Sequence, residues 1–457
     1  MNLSFLRDRA FLKEMLWIAL PISFQQLISA ALNMIDVVMV GQLGETSIAA
    51  LGLANQVFFV LILLLFGTTS GMAIFTAQFW GKQEIEPIRK VLGMSILVTS
   101  SFASIFTLAA VFIPQRVLGL YTNDAEVIAI GSQYLRIVGL SYIPVAIATS
   151  YVTVLRSIQL VRITVVATIT ALFFKTILGY MLIFGLGGLP ELGVRGAAIG
   201  TASGWTLELA LLLILVYTQK TPLAGGLKTL FSFDMTFFAR VLRTALPAMA
   251  NELFWSVGIT TYNAIYAHIS TDSISAINVN ATIEELGFVV FIGLGNACAV
   301  MVGNRIGAGK KEEAYETVRR MIILSVSAAW LVGLLVFSLR DVMTSSGLFK
   351  LSPNGVHNVQ MLMLMMACTL WIRMFNFSTF IGALRAGGDT RFALIMEICS
   401  IWLIGVPAAY ISAFVFHLPV YYVYLMVALE EIAKAFVSFW RFRSRKWIHD
   451  LVNEPAI

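Results

Sequence analysis

Long apolar runs separated by short polar breaks cover almost the whole chain, and the length of the runs decides what they are. A helix needs about 20 apolar residues to cross the hydrocarbon of a bilayer. Runs of that length predict twelve spans, at 14–40, 47–79, 90–113, 126–155, 162–185, 195–218, 238–268, 273–304, 316–339, 357–384, 392–415 and 419–441. Several exceed 28 residues, which predicts tilted or kinked helices reaching beyond the bilayer.

The polar breaks orient these spans, because lysine and arginine gather in cytoplasmic loops. With the N-terminus inside, 23 of the 31 basic residues fall in inner segments. They include Arg7, Lys82, Arg156, Arg243, Arg320, Arg385 and Arg443. Only four, Arg116, Arg195, Arg340 and Lys350, fall in outer loops, and Arg136, Lys175, Arg373 and Lys434 lie within spans. Both termini are therefore expected in the cytoplasm.

The pattern then repeats itself. Ala19-Leu20-Pro21 matches Ala245-Leu246-Pro247, and the offset of 226 holds without a gap from there to Gly81 and Gly307. Gly67 matches Gly293 on the way, and after a slip of three Leu155-Arg156 matches Leu384-Arg385. Six spans per half in one orientation mean two parallel bundles related by an axis along the membrane normal. The expected fold is all-α and polytopic, with twelve transmembrane helices in two pseudo-symmetric six-helix bundles. The first lobe is expected over 1–218, a cytoplasmic linker over 219–237 and the second lobe over 238–457. Two like bundles around a central site are the layout of an alternating-access transporter.

Composition agrees and excludes other classes. Hydrophobic residues make up 59% and charged residues 12%, where a soluble protein carries about 25% charged. The net charge of +6 belongs to short loops at one membrane face, so no nucleic-acid partner is expected. Cys298, Cys368 and Cys399 lie in apolar segments without metal-type spacing, so neither a metal site nor a disulfide framework is expected. The basic N-terminus MNLSFLRDRAFLKEML leads into a full-length span, which reads as a retained first helix rather than a cleaved signal. There is no Walker A loop, HExxH, GxSxG or Cys/His cluster. An enzyme and a bound cofactor are not expected, and an ion gradient is the natural energy source.

Carboxylates at membrane depth are the candidate chemistry, since each costs roughly 2.5–3.5 kcal/mol to insert and usually faces a cavity or a partner. Asp36 stands among Ile, Val and Met in span 1; the others are Glu208, Glu252, Glu284, Glu285, Glu397, Glu430 and Glu431. Desolvation favours the neutral form of a carboxyl, so such a group binds and releases protons more readily, and its charged form attracts a cation. A site that holds either a proton or cargo couples the two flows by competition. Lys175, in TALFFKTILGYMLIFG, reads as about a third of the way in from the cytoplasmic end. It either snorkels to that face or pairs with Asp36. Arg373 is a partner for an acid of the second half, with Glu252, Glu284 and Glu397 as candidates. Glu430 and Lys434 stand four apart and neutralise each other on one helix. Trp255 and Tyr262, near Glu252 in sequence, are the aromatic candidates for holding an organic cation.

At this point the residues resemble a known family, the multidrug and toxic compound extrusion (MATE) transporters. The motifs are ALP followed by IDVVMVGQLGETSIAALGLANQ, then LIFGLGG and LGVRGAAIGTASGW, GNRIGAGKKEEA, and GALRAGGDTRF. The resemblance covers the whole chain and both repeats. It implies a monomeric exporter of cationic or amphipathic small molecules in exchange for protons or sodium, in a plasma or bacterial inner membrane. It assigns Asp36 to an ion or proton site in the first lobe, Thr201 to the same site and Glu252 to the second-lobe cavity. Two departures favour protons over sodium. Lys175 and Gly179 stand where members often have Asn and Asp, and Met374 stands where some sodium-coupled members have Asp. A flippase for a lipid-linked substrate and a dedicated exporter of one metabolite are the alternatives. The eight embedded acids against four embedded bases disfavour the flippase.

Overall fold

The computed structural model describes residues 8–345 and 352–453. Arg7 and Lys350, both counted above for orientation, lie outside them. The chain is a succession of helices: α1 (Arg9–Gly41), α2 (Glu45–Gly81), α3 (Ile85–Phe112), α4 (Pro114–Leu118), α5 (Ala125–Gly139), α6 (Tyr142–Ser157), α7 (Val161–Phe184) and α8 (Val194–Thr218). A short α9 (Leu227–Leu230) precedes α10 (Met235–Ile269), α11 (Thr271–Gly307), α12 (Lys311–Ser345) and α13 (Pro353–Thr379). Then come α14 (Thr390–Cys399), α15 (Val406–Tyr410) and α16 (Val420–Arg443). Among the described residues nine helical runs are long and apolar enough to cross a membrane, and the bent pair α5–α6 makes a tenth. The two remaining long rods, α10 and α16, are too polar to qualify alone, the latter because it carries Glu430, Glu431 and Lys434 within five residues. The protein is a multi-pass membrane protein. Its large exposed side chains, among them Met34, Val37, Leu331 and Trp440, suit a lipid surround.

Local chemistry sets the helix ends and breaks. The Asp124 carboxylate accepts from Glu126 N and Val127 N to start α5, and the Ser270 and Ser352 hydroxyls cap α11 and α13 in the same way. Gly185 closes α7 in the left-handed region at φ 68°. The sequence pattern predicts one continuous span over 126–155, but the structure bends it by 50° between α5 and α6. The cause is local: Thr107 donates to Gly139 O at 2.9 Å and Ser141 donates to Val138 O at 2.6 Å, so side chains take carbonyls at the break. Spans 10 and 11 are also irregular. Their α-helical register loosens to π geometry over Phe380–Arg385, Ser400–Gly405 and Ile411–Val415, a feature frequent at functional sites.

Packing divides the chain into two compact units, Phe24–Met249 and Met1–Ser23 with Ala250–Ile457. The two boundaries fall inside α1 and α10, each two residues beyond an internal proline, Pro21 or Pro247. Proline removes one backbone donor and crowds the preceding turn, so the helix is weakest where its two ends join different units. The Phe24–Met249 unit has a core of Leu61, Leu65, Leu135, Tyr142 and Ile183. The other has a core of Tyr262, Val359, Leu362, Met363 and Ile401. The expected linker is docked on its unit. Arg89 donates to Pro222 O at 2.7 Å and to Ala224 O at 3.3 Å, and Leu223 and Leu230 are buried.

Candidate functional site

In the Phe24–Met249 unit the site is built on the seam of α1, α7 and α8. Asp36 lies five residues before Gly41, the end of α1. Lys175 Nζ meets Asp36 Oδ2 at 2.6 Å, with the side chains 12% and 24% exposed respectively. Thr176 Oγ1 donates to Asp36 Oδ1 at 3.4 Å, and Lys175 Nζ also reaches Asn33 Oδ1 at 3.5 Å. Tyr134 of α5 is buried and lies close to both Thr201 and Asp36. Asp36, Lys175 and Thr201 thus fall in one neighbourhood, joined by Thr176 and Tyr134, which sequence reasoning missed because nothing in the apolar pattern marks them. Asp36 faces a helix seam, while its neighbours Val37 and Val38 carry the exposed face. Lys175 stands past the middle of α7, not a third of the way in as read from sequence. That helix starts directly at Val161 and ends at Phe184, which puts the lysine roughly 14 Å from the later end at 1.5 Å per residue.

Small residues hold Lys175 in place. Gly196, Gly200 and Gly204 recur every fourth residue along one face of α8, the spacing that lets membrane helices approach backbone to backbone. A Cβ on Gly200 would lie 2.7 Å from Gly179 Cα, and one on Gly204 would lie 2.5 Å from Lys175 Cβ. This explains the glycine at 179, since a side chain there would push α8 away. Gly204→Leu is expected to cost about 1–3 kcal/mol through overpacking and to lower the melting temperature of the purified protein. Melting indistinguishable from the parent would mean the two helices have room to part.

The Ala250–Ile457 portion of the other unit holds a wider network. Arg373 of α13 is paired with Glu284 of α11 and reaches Tyr424 OH at 3.2 Å, so of its three candidate partners Glu284 is the one in contact. Glu252 is paired instead with Arg385, which is 5% exposed and which the sequence reading assigned to a loop. The end of span 10 continues through its π segment to Arg385. Its repeat counterpart Arg156 is likewise drawn inward and donates to Gln25 Oε1 at 3.1 Å. Lys434 of α16 sits 3.0 Å from Glu397 of α14, 3.5 Å from Glu430 and 3.8 Å from Glu431. The expected pairing within α16 is therefore secondary to one between helices. Two carboxylates about 6 Å apart repel by roughly 3 kcal/mol at an effective dielectric constant of ~20, so one ammonium among three acids is an unbalanced arrangement. Tyr262 is buried with its hydroxyl on Glu430, ten residues along α10 from Glu252. Trp255 is 38% exposed and Met374 is fully buried in an apolar cluster with Phe291 and Leu370. Among the described residues no three His, Cys, Asp or Glu side chains converge as a metal-binding group.

Comparison with known proteins decides the family. The MatE family model matches residues 21–181 and again 247–411. The chain belongs to the MatE family. The two MatE segments begin at Pro21 and Pro247, the same pair of prolines that sets the internal repeat. The uncharacterized transporter YisQ of Bacillus subtilis strain 168 is 26% identical over 425 residues, covering 90% of each chain. The probable multidrug resistance protein NorM of Thermotoga maritima is 23% identical, over 95% of this chain and 93% of that one. The solved structure of a point mutant of VcmN, a MATE transporter of Vibrio cholerae, superposes with a TM-score of 0.87 at 17% identity, covering 97% of this chain and 98% of that one. This likeness shows that the two share the MatE fold.

Proposed function

We propose that this protein is a secondary active antiporter that exports organic cations or amphipathic molecules in exchange for protons, by alternating access. The observation that carries the reading is the Lys175–Asp36 ion pair. A carboxylate among apolar helices must be neutralised, because an unpaired ion there costs several kcal/mol. Lys175 supplies the neutralising charge when the carboxyl is ionised. A proton arriving at Asp36 makes that charge unnecessary, and the tie between α1 and α7 is then lost. Cationic cargo competes for the same carboxylate. Binding of one partner at a time, on a helix whose ends are joined to different units, couples proton entry to cargo exit.

The lysine also supports protons over sodium. The ammonium 2.6 Å from Asp36 fills the place that a small metal cation would take on the carboxylate, whereas a proton needs no room beyond the carboxyl oxygen. The names of the relatives support the cargo class: NorM is named a probable multidrug resistance protein. The bias of basic residues to one set of loops supports placing both termini on the cytoplasmic side of a plasma or bacterial inner membrane. The test is efflux of a fluorescent organic cation from vesicles containing the purified protein. Under an imposed pH gradient the expected result is uphill transport, with none under a sodium gradient at equal pH. Transport driven by sodium alone would overturn the coupling, and no transport under either gradient would overturn the antiport.

A further inference from the structure

The geometry points to a second proton-binding site, shared by Glu397, Glu430 and Glu431 around Lys434. Its relevance to transport rests on the proton coupling proposed above, but the binding itself does not. The three carboxylates and the one ammonium carry two excess negative charges when all are ionised. Glu397, Glu430 and Lys434 are each 6% exposed, so solvent does not supply the difference. Nor does a neighbouring base. Arg373 on α13 lies within the field of Glu431 but is paired with Glu284 of α11, and Arg385 is paired with Glu252 of α10. The remaining titratable groups beside the cluster are Tyr262 and Tyr266 of α10 and Tyr424 of α16 itself, and none of these brings a positive charge. Hydrogen ions are the ligands that restore neutrality in the space available.

An independent observation marks the place. Asn376, 6% exposed, donates from Nδ2 to Glu431 Oε2 at 2.6 Å and to Glu431 O at 2.8 Å. Its Oδ1 is buried with no partner. A buried acceptor left without a donor is costly, and a protonated carboxyl is the donor this cluster lacks. The backbone makes room for the carboxyl group: a Cβ on Gly405 would overlap both the Tyr262 hydroxyl and Glu430 Oε2. Gly405 ends the π segment Ser400–Gly405, so the local widening of span 11 accommodates the acid.

Infrared spectra of the full-length protein in lipid read this directly, since a protonated carboxyl has a C=O band that a carboxylate lacks. At neutral pH the expected spectrum of the parent contains such a band. It loses the intensity of one carboxyl in Glu430→Gln or Glu397→Gln, and Glu208→Gln, in the other unit, does not remove that component. Bands unchanged in both cluster variants would overturn the assignment. Should those variants fail to fold, Lys434→Met keeps all three acids and is expected to gain one protonated carboxyl; no gain would overturn it equally. The spectra are taken without transport, so failure of proton-driven efflux leaves this test standing.

Discussion

Asp36→Asn is expected to reduce proton-driven efflux to the leak of protein-free vesicles while the chain remains inserted and folded. Asparagine has nearly the shape of aspartate, and its amide oxygen still accepts from Thr176. It neither takes up a proton nor neutralises Lys175. Removing one partner of a fully buried pair costs about 3–5 kcal/mol. Here the partners are 24% and 12% exposed and Lys175 keeps Asn33 within 3.5 Å, so a loss of about 1–2 kcal/mol is the scale expected from the handful of contacts left. That is small against a folding stability of roughly 5–15 kcal/mol, so loss of transport would report lost chemistry and not unfolding. The double variant Asp36→Asn with Lys175→Met separates the two effects. It removes both charges, so it is expected to recover melting temperature without recovering transport. Efflux by Asp36→Asn at the parent rate under the same pH gradient would remove Asp36 from the coupling scheme.

The features readable from sequence are those that depend on one helix at a time. Span length, the repeat offset from Pro21 to Pro247 and the isolation of Asp36 among Ile, Val and Met all follow from composition along a single rod. The two MatE segments start at those same prolines, which shows how much a repeat alone carries. What stays open in the sequence depends on which rod lies beside which. Lys175 has two readings there, and the packing that seats its stem on Gly204 of α8 and its ammonium on Asp36 of α1 decides between them. Tyr262 looks like a neighbour of Glu252 because they share a helix, yet ten residues of helix is about 15 Å, and its hydroxyl meets α16 instead. Arg385 looks like a loop residue because the π turn that carries it inward has no signature in the apolar pattern. The glycines of α8 are the legible signal left unused: Gly196, Gly200 and Gly204 at four-residue spacing announce a close helix contact from the residues alone.

The two units also differ in chemistry despite their common origin. One places a single acid beside a single ammonium. The other spreads its bonded polar groups across α10, α11, α13, α14 and α16, with π segments where the acids need space. Duplication supplied two similar scaffolds, and substitution of a few polar residues gave each a different charge balance. The consequence is that the first site is neutral as an ion pair and takes on one positive charge when Asp36 is protonated, whereas the second stays negative unless protons are held there.

Lys175→Met is expected to make the protein respond to sodium. Methionine keeps most of the length and packing of the lysine stem against Gly204 but leaves Asp36 without its ammonium. The carboxylate then needs another counter-charge, and the groups around it are all oxygen donors: Asp36 itself, the Thr176 hydroxyl at 3.4 Å and the Asn33 amide oxygen that Lys175 now approaches at 3.5 Å. Oxygen ligands suit a hard cation, and the ammonium that filled the place has gone. A ligand that binds only the folded state, present at ten times its dissociation constant, stabilises it by about 1.4 kcal/mol. Melting in sodium chloride against choline chloride at equal ionic strength reads this difference. The variant is expected to melt higher in sodium and the parent to show no preference, because in the parent the fixed ammonium already occupies the place. A parent that gains as much from sodium as the variant would mean that Lys175 does not guard Asp36, and the case for protons over sodium would fall with it.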